Sequence, residues 1–213
     1  MKFGILGTGM VGKAIATKLI SLGHEVKMGA RTENNVSALE WVAQNGIRAS
    51  QGSFAQAAAF GEMNVVATVG VTALDVLKSA GDGVNGKTMI DISNPLDFSK
   101  GMPPTLSICN DDSLGEQLQR AFPKVHIVKT LNTMTHVVMV NPALVNGDSD
   151  VFVSGNDAGA KAQVIGLLKT FGWKSPIDMG DITTARGTEL LLPIWIRLWG
   201  TLGKAEFNFK IVR

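Results

Sequence analysis

The chain contains no tyrosine and only one cysteine among its 213 residues. Because tyrosine is absent, the Tyr–Lys pair with which short-chain dehydrogenases donate a proton cannot form, and that class of enzyme is excluded. The single cysteine, Cys109, has no partner for an internal disulfide and fits a reducing compartment. We expect Cys109 to be a small core residue, as a lone cysteine commonly is.

The sequence also lacks an excess of charge of either sign. The 20 Lys and Arg residues nearly balance the 18 Asp and Glu residues, which gives a formal net charge of +2 at pH 7. No block of like charge occurs in the sequence, so we expect no nucleic-acid partner.

Metal-binding patterns are also missing from the sequence. Its three histidines show no i, i+4 pairing and it has no cysteine pair, so we expect no metal site. His24 and His126 each come just before a predicted strand, where a structural role is expected. His136 lies closer to the expected cleft and is a candidate substrate contact.

The sequence also lacks a long hydrophobic run. The most apolar stretch, residues 190–202, is shorter than the roughly 20 residues that a bilayer requires, and Arg197 interrupts it. We interpret it as a buried or subunit-facing helix and predict no membrane span. A glycine turn begins as early as Gly7, which leaves no room for a signal peptide, so we expect a cytoplasmic protein.

Short apolar strands alternate with amphipathic helices along most of the chain. Strands are predicted at residues 2–6, 24–29, 48–50, 64–69, 88–92 and 126–130. Helices are predicted at residues 11–22, 36–45, 53–60, 72–80 and 113–121. Ser53 is a candidate N-cap, and Ser113 with Glu116 a possible capping box. The alternation predicts an α/β fold, a Rossmann-like, doubly wound and mainly parallel sheet with helices on both faces.

The remaining predictions concern a loop rich in turn residues and the last third of the chain. Residues 97–105 are expected to form a long loop. Beyond them we predict a strand at 151–154, a helix at 158–171, a short segment at 174–178, a longer helix at 183–199 and a strand at 207–212. Pro193 should kink the long helix or divide it. We predict one NAD(P)-binding domain over residues 1–213, with a soft boundary near 141–148 before a short C-terminal helical and strand extension.

The first twelve residues, MKFGILGTGMVG, place Gly7, Gly9 and Gly12 in a G-x-G-x-x-G pattern between a strand and a helix. Gly7 allows the tight turn, Gly9 lets the backbone approach a pyrophosphate, and Gly12 lets helix and strand pack closely. The helix that begins near Met10 offers free N–H groups and a positive dipole end to phosphates. The pattern predicts dinucleotide binding; the alternative is a merely tight strand–helix turn.

The end of the second strand indicates which dinucleotide is bound. NAD sites place Asp or Glu there to hold the ribose hydroxyls, but this strand ends in Ala30 and Arg31. A guanidinium can grip a phosphate bidentately, as the 2′-phosphate of NADP requires. We therefore predict NADP(H). Two alternatives stay open: Glu33 reaches back to the ribose, or Arg31 is an ordinary surface charge.

Later strand ends should line the same cleft, because ligands of such sheets lie beyond the carboxyl ends of the strands. Thr68, Val69 and Gly70 follow one strand, and Gly70 would let the chain pass close to the adenosine–ribose half. Asn94 and Pro95 should lie nearer the nicotinamide, with Asn132 at the same edge. Each of these residues alone could be an ordinary turn residue.

No acid–base pair is evident in the sequence, so the catalytic residues are unknown. Direct hydride transfer between nicotinamide and another redox ring requires no general acid. The protein then supplies binding, ring stacking and exclusion of water.

Motifs along the whole chain resemble the deazaflavin-dependent NADP oxidoreductase family, the coenzyme F420 reductases and their bacterial relatives. The resemblance is carried by GILGTGMVGKAIATKLISLGHEVKMGAR, VVATVG, MIDISNPL, VKTLNT, FVSGNDAGAKAQVIGLLKTFGW and IDMGDITTARGTELLLPIWIRLWG. The cytosolic reductase domain of membrane metalloreductases, which passes hydride from NADPH to a flavin, is similar over the same span.

This resemblance implies a small Rossmann-like domain with a short C-terminal extension, usually a homodimer. It assigns the cofactor loop to Thr8, Gly9, Met10 and Val11, the 2′-phosphate site to Ala30 and Arg31, and a strand end to Thr68, Val69 and Gly70. Asn35 stands where the family commonly has a basic contact. Asn132 stands where the archaeal enzymes have a His, as it does in the metalloreductase-like members.

The function implied is hydride transfer between NADP(H) and a small-molecule acceptor, a deazaflavin or flavin-like coenzyme; a quinone is a further option. Two alternatives stay open: a non-catalytic NADP(H)-binding redox sensor, and a reductase of a small imine or carbonyl substrate. The helix at residues 183–199 is expected either to pack against a second subunit and roof the acceptor pocket or to be part of the intrachain core.

Overall fold

Strands and helices alternate along residues 1–212, the part of the chain that the computed structural model describes. The strands are β1 (Lys2–Leu6), β2 (Glu25–Ala30), β3 (Ala49–Ser53), β4 (Met63–Val66), β5 (Thr88–Asp91), β6 (Leu96–Asp97), β7 (Thr105–Leu106), β8 (His126–Thr130), β9 (Phe152–Gly155) and β10 (Ile177–Gly180). The α-helices are α1 (Met10–Ser21), α2 (Val36–Asn45), α3 (Phe54–Phe60), α4 (Gly70–Ala80), α5 (Leu114–Ala121), α6 (His136–Val140), α7 (Ala158–Phe171), α8 (Ala185–Leu190) and α9 (Leu192–Leu202).

Eight strands form one sheet in the order β3-β2-β1-β4-β5-β8-β9-β10. Neighbours from β3 to β8 are parallel, whereas β9 runs antiparallel to β8. The predicted α/β, Rossmann-like and mainly parallel fold is therefore confirmed. The chain reverses its direction of travel across the sheet between β1 and β4, and ligands of such sheets bind at this switch point. We call the edge at which the parallel strands end the carboxyl edge.

Both faces of the sheet are covered by helices, which explains why the strands lack alternation of apolar and polar residues. Phe3 and Ile5 pack into a cluster with residues of α1, α2, α6 and α7. Leu6 packs into a second cluster with residues of α3, α4 and α5. Successive side chains of β1 thus point to opposite faces, and both faces are buried.

Several local predictions agree with the structure. The helix at 158–171 has the predicted bounds. Ser53 caps α3 in a capping box with Gln56. Pro193 lies in the first turn of α9 and divides the predicted long helix into α8 and α9. The interior of a helix disfavours proline, whereas its first turn tolerates it.

Two predictions are wrong and one is incomplete. Residues 98–104 form the predicted loop, but its two ends pair as the small antiparallel ladder of β6 and β7, and Ser107 donates two hydrogen bonds to Pro95 O at 2.8 and 3.1 Å. Residues 207–212 form no strand: Asp150 N donates to Phe209 O at 3.0 Å, but the next bond goes from Ile211 N to the Asp150 carboxylate at 2.6 Å, so no regular ladder forms. Cys109 is exposed rather than in the core. The boundary near residues 141–148 stays a prediction.

Candidate cofactor site

The glycine loop, residues 7–12, joins β1 to α1 at the switch point. Gly7 has φ +132, and a Cβ there would collide with Ala67 O. A Cβ on Gly12 would collide with Gly7 O, so the helix can approach the turn only because residue 12 has no side chain. Above Gly9, by contrast, no atom of the described residues lies within 4 Å of a Cβ position. The loop is therefore tightly packed beneath and open above, where a ligand could approach the backbone.

The first turn of α1 faces this open side. Gly9 is the N-cap and has no side chain that could bond the free amides of the turn. Met10 is 74% exposed and Val11 half-buried. The carbonyl of Thr8 accepts a hydrogen bond from Ser37 Oγ at 3.2 Å, which ties the loop to α2. Ser37 was not predicted as a site residue, because only the fold brings α2 close to this loop.

Arg31 lies at the carboxyl edge, directly after β2. Its side chain is exposed, and the ion pairs formed within residues 1–212 do not include it. Ala30 before it is buried, at 3% exposure. Glu33, the competing ribose contact, accepts a hydrogen bond from Gln56 Nε2 in α3 at 2.6 Å. The Arg31 guanidinium is thus available to an anion, whereas the Glu33 carboxylate already accepts a hydrogen bond. This difference favours the interpretation of Arg31 as a contact to the 2′-phosphate.

Asn35, the next predicted phosphate contact, is the N-cap of α2. Its Oδ1 accepts from Ala38 N at 3.1 Å, which satisfies one of the free amides of that helix. The oxygen of the Asn35 amide is therefore engaged in the cap, and only its NH2 group is left to donate to a phosphate.

The end of β4 carries an unsatisfied polar group. The Oγ1 atom of Thr68 is buried and has no hydrogen-bond partner among the described residues. Its methyl group lies beside the glycine loop, 3.2 Å from the Cβ position of Gly7. Val69 is 61% exposed, whereas Gly70 is buried. Because buried polar groups are normally hydrogen-bonded, an orphaned hydroxyl here fits a site that receives a polar ligand.

Asn94 and Asn132, predicted from separate strand ends, are joined by two hydrogen bonds. Asn94 Nδ2 donates to Asn132 O at 2.9 Å, and Asn132 Nδ2 donates to Asn94 Oδ1 at 3.0 Å. Leu131 adopts φ +61, a left-handed conformation that is unusual for leucine and costs on the order of 1–3 kcal/mol. Pro95 is buried beside them. The ends of β5 and β8 thus lie together at the carboxyl edge, where one wall of the predicted cleft is expected.

Behind this wall lies a buried triad of charged residues, Asp91, Lys129 and Glu189. Lys129 Nζ lies 2.6 Å from Asp91 Oδ2 and 2.9 Å from Glu189 Oε1, and it donates to Ser93 O at 2.7 Å. Burial lowers the pKa of Lys129, but the charges of Asp91 and Glu189 outweigh it, so the pKa is raised above 10.5. Lys129 is therefore a cation at neutral pH although it is fully buried.

The triad was not predicted from the sequence, although one signal for it was present there. Charged residues are almost never fully buried unless they are paired, and both Asp91 and Lys129 fall inside apolar strand segments. Glu189 could not have been identified in this way, because it belongs to a distant helix. Its carboxylate also accepts from Leu114 N at 2.8 Å and Gly115 N at 3.1 Å, the first amides of α5.

A second ion pair joins α5 to α8. Ser113 caps α5 by accepting from Glu116 N at 3.1 Å. The Glu116 carboxylate accepts from the Ser113 hydroxyl at 2.8 Å and from Arg186 Nε and Nη2 at 2.8 and 2.6 Å. Hydrogen bonding by Arg186 holds the pKa of Glu116 below its ordinary value of 4.5 and outweighs the opposing effect of burial.

This pair predicts a pH-dependent stability. A depressed carboxyl pKa contributes stability above the unfolded value and loses it as the pH falls through the folded value. We expect Glu116→Gln to unfold at lower urea concentration than the wild type at neutral pH. The difference should shrink as the pH falls below 4.5. Urea titrations over a pH series measure this, and Glu40→Gln, an exposed change on α2, should show no such trend.

The remaining candidate residues lie outside this cleft wall. His136 is the first residue of α6 and lines an open surface groove with Met10 and Lys13 of α1. In α9, Trp195 is 9% exposed and stacks on Phe207 with ring centroids 5.3 Å apart. Other apolar residues of α8 and α9 are 42–50% exposed, namely Leu190, Ile194, Trp199 and Leu202.

Within residues 1–212, no helix combines the length and apolar character needed to cross a membrane.

Known proteins resemble this arrangement closely. A crystal structure from Arthrobacter sp. FB24, described as a "putative f420 dependent nadp-reductase", is 52% identical, covers 100% of both chains and has a TM-score of 0.97. The chain belongs to the F420-dependent NADP oxidoreductase family. The model of this family, NADP oxidoreductase coenzyme F420-dependent, matches residues 2–95, which include every predicted cofactor contact except Asn132.

Two more distant relatives match most of this chain. The F420-dependent NADP reductase of Methanocaldococcus jannaschii is 29% identical over 210 residues, which cover 93% of this chain and 92% of that protein. The metalloreductase STEAP3 of Rattus norvegicus is 27% identical over 199 residues, which cover 91% of this chain but only 38% of that protein. The protein is therefore an enzyme of a family of NADP-dependent oxidoreductases.

Proposed function

We propose that the protein transfers hydride between NADP(H), held at the carboxyl edge, and a flavin-type ring, a deazaflavin or a flavin. The observation that carries this proposal is Arg31, an exposed guanidinium without an ion-pair partner in the described part of the chain. It follows β2, where an NAD-preferring site would place a carboxylate.

Each part of the proposed cofactor site has a distinct task. The glycine loop and the first turn of α1 offer backbone amides and a positive helix end to the pyrophosphate. Arg31 offers a planar, permanently charged donor to the 2′-phosphate. Thr68 offers a hydroxyl without a protein partner, and the Asn94–Asn132 pair forms the wall on the nicotinamide side. When bound, the nicotinamide ring of the cofactor would supply or accept the hydride.

The nature of the acceptor is supported by chemistry and by relatives. With no tyrosine in the chain, a Tyr–Lys proton donor is excluded, and transfer between two redox rings needs none. The Methanocaldococcus jannaschii relative is named for its dependence on coenzyme F420. In such a reaction the protein holds both rings in reach of each other and keeps water out.

Purified protein tests this proposal directly. We expect the NADPH absorbance band to decay when a deazaflavin or a flavin is added, and to decay far more slowly when NADH replaces NADPH. A quinone and a small cyclic imine serve as comparison acceptors. Tight NADPH binding without oxidation by any acceptor would contradict the proposal and support a non-catalytic redox sensor. Oxidation by the imine alone would also contradict it.

Two expectations accompany the proposed function. Ile194, Trp199 and Leu202 of α9 are exposed apolar residues, and their burial against a second subunit would support the expected homodimer. Assembly as a homodimer and a cytoplasmic location stay predictions.

A further inference from the structure

We propose that the buried triad of Asp91, Lys129 and Glu189 positions the nicotinamide half of the cofactor site. On this view its members are positioning residues that act through Ser93 and Asn94, and they make the shape of the cleft depend on helix α8. The proposal rests on the proposed NADP(H) site and deepens it.

The triad is buried. The side chains of Asp91 and Lys129 are 0% exposed and that of Glu189 is 2% exposed. Two carboxylates and one ammonium leave one net negative charge. The first amides of α5, Leu114 N and Gly115 N, point at Glu189, and the positive end of that helix stabilises the excess charge.

The space for this arrangement depends on Gly115. A Cβ at residue 115 would lie 3.3 Å from Lys129 Cε and 3.2 Å from Ala185 Cβ, closer than these atoms normally approach. A glycine at the start of α5 therefore lets the lysine stem pass between α5 and α8.

The triad holds the end of β5 from behind. Asp91 Oδ1 accepts from Ser93 N at 2.9 Å and from Ser93 Oγ at 2.5 Å, and Lys129 Nζ donates to Ser93 O at 2.7 Å. All three polar groups of Ser93 are thus bonded to the triad. The residue that follows is Asn94, which forms the cleft wall with Asn132.

Asn94 is confined on its other sides as well. Asn132 exchanges two hydrogen bonds with it, and a Cβ on Gly70 would collide with Asn94 O. Asn94 is therefore held through Ser93, Asn132 and the close approach of Gly70. The triad supplies charged groups to this support.

Stability alone does not account for such a triad. Apolar residues of similar volume often replace a buried ion cluster without loss of stability, so burial of charge is weak evidence for a stabilising role. Directional bonds differ from apolar packing because they fix one arrangement of the groups that they join. Here the bonds join Ser93 after β5, Lys129 in β8 and Glu189 in α8, which are distant from one another in sequence.

The test separates the two halves of the cofactor. NADPH contains the nicotinamide half, whereas 2′,5′-ADP contains only the adenosine half with its 2′-phosphate. We expect Glu189→Gln to weaken NADPH binding about 3- to 10-fold, the size of one lost hydrogen bond, and to change 2′,5′-ADP binding less than about 2-fold. The triad retains Lys129 and Asp91 in this variant, so the fold should persist. Titration calorimetry of the purified protein measures both ligands.

Two further variants make the result decisive. Asp91→Asn should give the same split between the two ligands, because it weakens the support of Ser93 from the other side. Glu116→Gln makes the same chemical change at a neighbouring buried carboxylate of α5 that bonds Ser113 and Arg186 rather than Lys129, and it should give no split.

The outcomes distinguish this proposal from the proposed function. Equal losses for NADPH and 2′,5′-ADP in Glu189→Gln, or no loss for either, would overturn the positioning role while leaving the cofactor site intact. Failure of the wild type to bind 2′,5′-ADP would instead refute the proposed cofactor site, and the positioning role with it.

Discussion

Replacing Lys129 with methionine is expected to lower the free energy of unfolding by about 3–5 kcal/mol, the cost of breaking a buried ion pair by removing one partner. Methionine fills nearly the same space, so the loss comes from charge and not from a cavity. Asp91 and Glu189 would remain buried, within reach of the former ammonium position and without its positive charge. Urea or thermal unfolding followed by circular dichroism measures the change.

The pH dependence of this effect follows from the raised pKa of Lys129. A cation whose folded pKa is raised contributes its full stability below the unfolded value of 10.5 and loses it only as the pH rises through the folded value. The stability that Lys129 contributes to the wild type should therefore be fully present at neutral pH and fall in strongly alkaline solution.

A matched control lies a few residues away. Lys124→Met removes an exposed ammonium just before β8 and should change stability by less than about 0.5 kcal/mol. If Lys129→Met were as mild as Lys124→Met, the triad would not be the interdependent unit that its geometry indicates.

Replacing Arg31 with alanine is expected to weaken NADPH binding about 10- to 150-fold and to leave NADH binding nearly unchanged. A hydrogen bond to a charged group contributes about 1.5–3 kcal/mol, which corresponds to that range. NADH has no 2′-phosphate, so it has no contact of this kind to lose. Fluorescence titration with both nucleotides measures the selectivity, and 2′,5′-ADP should lose as much affinity as NADPH.

Arg48 supplies the control for charge alone. It is an exposed arginine just before β3, at the opposite edge of the sheet from Arg31 because β2 and β3 are parallel. Arg48→Ala should leave both nucleotides unaffected beyond a small general effect of charge. Equal losses for NADPH and NADH in Arg31→Ala would refute the assignment of the 2′-phosphate.

The Arg31 prediction and the triad prediction address opposite halves of the proposed cofactor site. Arg31→Ala should weaken both NADPH and 2′,5′-ADP, whereas Glu189→Gln should weaken NADPH alone. A loss for NADPH alone in Glu189→Gln is hard to obtain from general destabilisation, which would act on the two ligands alike.

The sequence by itself determined the features that depend on neighbouring residues. The glycine turn between β1 and α1, the cap of α3 at Ser53 and the division of the last helix at Pro193 follow from local backbone rules. Regular alternation of strands and helices then leaves few topologies, since parallel strands need a crossover connection. For this reason the fold class and the chemistry of the strand ends could be predicted.

Only the tertiary structure decided which distant groups meet. Asn94 and Asn132 were each predicted at the edge, but their mutual hydrogen bonds depend on β5 and β8 being neighbours. Glu33 is engaged by Gln56, and Glu189 reaches Lys129 from a helix 60 residues further along the chain. Such contacts depend on the packing of whole elements, and no local pattern encodes the partner of a buried charge.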